Sequence, residues 1–134
     1  MVRALLVEDD ARDRQLLTAA LEFRGAQVIC AATDQDAYDL MATEDVDLLI
    51  ADIDLGEGTT GYDVARAFRR RSPTLPVFYV TQIESDPAPH QVRRSCLIRK
   101  GMSVTSIADA ILDRLSSGPA GDASAPGSRG GEAR

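Results

Sequence analysis

Apolar residues fall in two rhythms along the chain. Short unbroken runs, VRALLV (2–7), QVICAA (27–32), DLLIAD (47–52), PVFYVT (76–81) and CLIR (96–99), alternate with longer stretches in which apolar positions recur every three or four residues. Unbroken runs of this length suit strands buried on both faces. The longer stretches read as amphipathic helices. In the first, Leu16, Leu17, Ala20 and Leu21 share one face, Asp10 stands where an N-cap belongs, and Gly25 follows as a stop signal. Thr33 or Asp34 can cap a second helix running through Met41. In GYDVARAFRRR (61–71), Val64 and Phe68 lie about one turn apart. The arginines 69–71 read as a solvated helix end that complements the dipole, and Ser72-Pro73 ends the segment. Ser103 caps the last helix, with a stripe of Val104, Ile107, Ala108, Ile111 and Leu115.

Strands alternating with helices imply parallel β-α units joined by right-handed crossovers. The rhythm predicts an α/β fold of five strands and five helices, a doubly wound parallel sheet. Its favoured strand order is the flavodoxin-like 2-1-3-4-5, which places a ligand site at the C-terminal ends of strands 1 and 3.

The chain's 134 residues suit one domain, expected over 1–116. Gly, Ala, Ser and Pro dominate residues 117–134, which read as a flexible tail with no second domain after it. A net charge of −6 without a dense basic stripe disfavours direct nucleic-acid binding. No apolar run is long enough to span a membrane and no signal-peptide pattern opens the chain, so a cytoplasmic protein is expected. Cys30 and Cys96 stand in apolar contexts and read as reduced core thiols. His90, the one histidine, falls in a surface segment with no helical hairpin to make it a phosphohistidine.

The expected topology gathers particular chemistry at one sheet edge. Strand 1 ends at Glu8 and Asp9, strand 3 at Asp52, strand 4 at Thr81, and strand 5 at Arg99 and Lys100. Clustered carboxylates repel unless a cation joins them, and Mg²⁺ is the natural choice for oxygen ligands of this kind. Mg²⁺ beside a free carboxylate, with a lysine and a hydroxyl opposite, is equipped for phosphoryl transfer.

The motifs LLVEDD, DLLIADIDL, VFYVT and LIRKG, in this order and each at a strand end, resemble the receiver domain of two-component response regulators. The resemblance covers residues 2 to about 116. It implies that Asp52 is the phosphoacceptor. It also implies that Asp9 ligates Mg²⁺ directly, Glu8 acts mainly through bound water, and the main-chain carbonyl of Asp54 is a further ligand. Thr81 matches the hydroxyl that follows the phosphoryl group, and Lys100 the lysine that pairs with it. The implied function is that of a single-domain regulator, charged by a histidine kinase or a histidine phosphotransfer protein. It would catalyse its own phosphorylation and dephosphorylation, and signal by docking to a downstream protein or by onward phosphotransfer.

Several positions depart from the family pattern. Gly101 replaces the usual proline after the lysine, which leaves the Lys100 loop either trans or mobile, since a cis bond not preceding proline is costly. Leu97 stands where an aromatic is common. Gln82 replaces a smaller residue and would crowd the phosphate pocket, and the loop IDLGEGTTG lacks the usual proline. In QIESDPAPHQVRRS, Pro87 and Pro89 fit only in a first turn, so a short helix 4 is expected to start at Ser85 or Asp86 and run barely two turns to Ser95, with a thin apolar face of Ala88 and Val92. Two alternatives follow. One is a degenerate receiver that binds partners without phosphorylation. The other is a haloacid-dehalogenase-type phosphohydrolase suggested by the DID triplet, although that family places its D-x-D after the first strand.

Overall fold

The computed structural model describes residues 1–55, 60–82 and 92–116. The expected tail 117–134, His90 and the expected helix start at Ser85 or Asp86 lie outside them. Chain order among the described residues is β1 (Arg3–Val7), α1 (Ala11–Phe23), β2 (Gln27–Ala31), α2 (Asp34–Thr43), β3 (Leu48–Ala51), α3 (Gly61–Arg71), β4 (Val77–Thr81), β5 (Ser95–Arg99) and α4 (Val104–Ser116). The strands form one sheet in the order β2-β1-β3-β4-β5, and every pair is parallel. The doubly wound reading thus holds.

Pleating sorts the strand residues into two cores. Leu5, Val7, Leu49, Ala51, Val77 and Tyr79 face Met41 of α2 and Val64 and Phe68 of α3. Ala4, Leu6, Leu48, Ile50, Phe78 and Val80 face Leu17 and Leu21 of α1 and Ile107, Ala108 and Ile111 of α4. With both faces covered, β1, β3 and β4 can be apolar at successive positions, as their sequences are.

The helix boundaries have local causes. Oδ1 of Asp10 accepts the Asp13 N–H at 2.9 Å, Thr33 Oγ1 accepts the Asp36 N–H at 3.1 Å, and Ser103 Oγ accepts the Ser106 N–H at 3.2 Å. Thr60 and Asp63 form a reciprocal capping box at the start of α3. Gly25 sits at φ 94° just past α1, in the left-handed region that glycine adopts without a steric penalty.

Four expectations need correction. Leu16 is 42% exposed, and only Leu17 and Leu21 of its expected face are buried. β2 is an edge strand, paired only with β1, so QVICA is largely exposed or half-buried. Cys30 is therefore a free exposed thiol rather than a core one, and Cys96 is free and half-buried. Helix 4 does not reach Ser95: residues 92–94 are not helical, Arg94 has φ 55°, and Ser95 opens β5.

The fourth correction is Arg69. Its guanidinium turns inward and donates to the carbonyls of Ser72 and Leu75 beyond α3, and to those of Arg93 and Arg94 ahead of β5. Burial and the neighbouring charges of Arg93 and Arg94 lower its pKa. Arg69 thus ties the end of α3 to the entry of β5 instead of pointing into water. No helix among the described residues is long and apolar enough to cross a membrane.

Candidate functional site

The sheet registers do the positioning. Val7 pairs with both Ala31 and Ala51, and Thr81 pairs with Arg99. The ladder runs one residue further at the C-terminal edge. The Glu8 N–H donates to Ala31 O at 3.0 Å, Asp52 N–H to Val7 O at 3.0 Å, and Lys100 N–H to Thr81 O at 2.9 Å. These bonds anchor the backbones of Glu8, Asp52 and Lys100 before any side chain acts. Arg14 of α1 donates to the Glu8 carbonyl at 2.8 Å and fixes the β1–α1 turn.

The side chains converge on an open cleft of about 360 Å³ lined by Glu8, Asp9, Asp52, Asp54, Thr81 and Lys100, together with Asp10, Asp13 and Gln82. Every sequence-derived site residue is therefore brought to one place. Glu8, Asp52 and Thr81 are buried, whereas Asp9 and Gln82 are exposed. The Lys100 Nζ lies 2.8 Å from Glu8 Oε1 and 3.1 Å from both Asp52 Oδ2 and Asp13 Oδ2. Asp52 Oδ1 accepts the Asp54 N–H at 3.1 Å, and Glu8 Oε2 accepts the Asp10 N–H at 3.2 Å. The Lys100–Gly101 bond is trans.

Charge is tightly balanced here. Burial pushes the Glu8 carboxyl up to about 7, the Asp52 charge adds to this, and the Lys100 hydrogen bond pulls the other way. Burial alone would lower the Lys100 ammonium, but its bonds to Glu8 and Asp52 outweigh that and raise it. A divalent cation fits this balance. Glu8, Asp9 and Asp52 can each offer one carboxylate oxygen, all within 4.8 Å of one another. Few oxygens, all hard and anionic, beside open cleft volume for water suit Mg²⁺.

Two residues at the site escaped the sequence reading. Asp13 contacts Lys100, yet an acid in a first helical turn ordinarily signals only the helix dipole. Gly61 opens α3 directly against the backbone of the Asp52 segment, and its N–H donates to Ile53 O at 2.8 Å. A Cβ there would stand 2.9 Å from the Asp52 carbonyl carbon and closer still to its oxygen. Only the position of a glycine at the start of a helical pattern hinted at this close approach.

Comparison with known proteins agrees with this architecture. A family model described as response regulator receiver domain matches residues 4–95. The chain is 34% identical over 86 residues to the transcriptional regulatory protein AfsQ1 of Streptomyces coelicolor, covering 64% of this chain and 37% of that protein. It is 32% identical over 84 residues to the response regulator MprA of Mycolicibacterium vanbaalenii, covering 63% and 36%. The chain thus spans about a third of the length of these relatives. The crystal structure of a response regulator receiver protein from Sinorhizobium medicae superposes with a TM-score of 0.79 at 22% identity, over 87% of this chain and 95% of that one, a likeness of fold. With the sheet order, the acidic edge and the family match in agreement, this chain belongs to the response regulator receiver domain family.

Proposed function

We propose that this chain accepts a phosphoryl group on Asp52 from a phosphohistidine, carried by a histidine kinase or a histidine phosphotransfer protein. It then signals by altered docking to a downstream protein or by onward phosphotransfer. Phosphorylation on an aspartate and Mg²⁺ at an acidic pocket are general in the family, and receiver domains typically interact with kinases or phosphotransfer proteins. The observation that carries the assignment to Asp52 is its bracketing. One carboxylate oxygen faces Lys100 and the other the Asp54 N–H, with Glu8 and Asp9 alongside.

The reaction needs little more than positioning and charge. An Asp52 carboxylate oxygen attacks phosphorus, and a new O–P bond forms as the P–N bond to the donor imidazole breaks. The electron pair leaves on the imidazole nitrogen, which takes a proton from solvent. Lys100 neutralises charge on the phosphoryl oxygens, and the Thr81 hydroxyl holds one of them. Glu8, Asp9, Asp52 and the Asp54 carbonyl are the groups that would hold Mg²⁺, Asp9 directly and Glu8 mainly through water. When bound, the ion supplies positive charge beside those same oxygens. Incubation with acetyl phosphate and Mg²⁺ tests the reading. Wild type should gain an acid-stable, base-labile phosphoryl group, and Asp52→Asn should gain none. Equal labelling of both proteins would sink the assignment.

A further inference from the structure

An ammonium group has three N–H donors, and Lys100 has three carboxylate neighbours. They are Glu8 at 2.8 Å, Asp52 at 3.1 Å and Asp13 at 3.1 Å. Each donor is therefore spoken for before any phosphoryl group arrives. Resting on the reading of Asp52 as phosphoacceptor, a phosphoryl oxygen must take one donor from an existing partner.

The three partners are not equal. The side chains of Glu8 and Asp52 are 5% and 9% exposed, so losing the cation before the O–P bond forms would leave each a poorly solvated charge. Glu8 also holds the Asp10 N–H through its other oxygen. The Asp13 side chain is 42% exposed and sits on the first turn of α1, where water can replace the lysine at little cost. The bond that breaks is the one to Asp13. We infer that Asp13 is a positioning residue that draws Lys100 toward α1 in the unphosphorylated protein and must release it to the incoming phosphoryl group. It acts as an internal competitor for the lysine, slowing phosphorylation.

Asp10 provides the control. It lines the same cleft and carries the same charge, but it caps α1, and the Lys100 ion pairs among the described residues go to Glu8, Asp13 and Asp52 instead. Asparagine caps a helix as well as aspartate does, so Asp10→Asn changes cleft charge alone. The experiment is the initial rate of phosphorylation of the full chain by acetyl phosphate in Mg²⁺, for wild type, Asp13→Asn, Asp13→Glu and Asp10→Asn, at low and raised salt. Asp13→Asn should speed the reaction by roughly two- to fivefold, the scale of a half-exposed ion pair. Asp10→Asn should speed it less, and its gain should fade in salt as a through-solvent effect does. Asp13→Glu, which restores the carboxylate, should return the rate toward wild type. The inference is overturned if Asp13→Asn is no faster than Asp10→Asn, or if Asp13→Glu is as fast as Asp13→Asn, while wild type is labelled. If wild type takes no label at all, it is the assignment of Asp52 that fails.

Discussion

The Nζ of Lys100 lies 3.1 Å from Oδ2 of Asp52, although 48 positions separate the two residues in the chain. The contact exists because β3 and β5 end at the same sheet edge, on either side of β4. Removing the lysine leaves Glu8 and Asp52 as buried acids without their shared cation. Lys100→Met should therefore lose about 1–3 kcal/mol of stability in metal-free buffer. Millimolar Mg²⁺ should raise the melting temperature of both proteins, and more so in the variant, because the ion restores positive charge where it is missing. Calorimetry with and without Mg²⁺ measures this. An equal metal effect in both proteins would separate the lysine from the cation site.

Gly61 sets the approach of α3 to the phosphoacceptor segment. With a Cβ at this position the helix or the Asp52 backbone must move. Gly61→Ala should cost about 1–3 kcal/mol, the usual range for overpacking, despite alanine's better helix propensity. It should also slow labelling of Asp52. Urea unfolding and acetyl phosphate labelling of the same preparation check both effects. Unchanged stability would mean that the close approach is relieved without strain.

Arg69 satisfies carbonyls of two loops with one planar group. Arg69→Met keeps much of the apolar stem but takes the guanidinium donors away from those carbonyls, and should cost on the order of 2 kcal/mol. Arg69→Lys should recover less than half, because an ammonium on a flexible stem cannot span carbonyls as the guanidinium fork does. Faster amide exchange at Ser95 to Leu97 in both variants would place the loss at the entry of β5. Exchange unchanged there would show that the clamp is not what holds this strand.

Tyr79, which is not among the residues lining the acidic cleft, offers a separate pH signature. Its ring is buried and lies edge-on to Tyr62 at 5.2 Å, and its hydroxyl oxygen accepts the Val92 N–H at 3.3 Å. Burial pushes the phenol up to about 12, partly opposed by the Val92 bond. Unfolding returns it to near 10, so between these values the native state holds the proton that the unfolded state loses. Stability must then fall as pH rises from about 10 and level off above about 12. Tyr79→Phe should lose about 1 kcal/mol at pH 9 with the hydrogen bond, then show a shallower alkaline decline. Parallel decline of the two proteins in urea titrations would contradict this.

What could be read from the sequence follows what each residue's neighbours along the chain determine. Glu8, Asp52, Thr81 and Lys100 each stand just past or at the end of an apolar run. A parallel sheet brings such ends together, so their meeting was legible from strand order alone. Asp13, Gly61 and Arg69 were not legible, because each owes its role to a partner on another element: Lys100, the Asp52 backbone and the carbonyls ahead of β5. Cys30 was misread for a related reason. An unbroken apolar run signals a strand buried on both faces, but QVICA lies at the sheet edge, where only one neighbour covers it. The helix expected to reach Ser95 fails at its far end because β4 pairs with β5 from Ser95 onward.

The most direct measurement locates the phosphoryl group. After reaction with acetyl phosphate and Mg²⁺, borohydride converts an aspartyl phosphate to homoserine, and peptide mass spectrometry then reads the modified residue. Homoserine should appear at Asp52 alone, and at no position when Mg²⁺ is chelated. Homoserine at Asp9 or Asp54 instead, or at no residue in wild type with Mg²⁺ present, would contradict the assignment of this site.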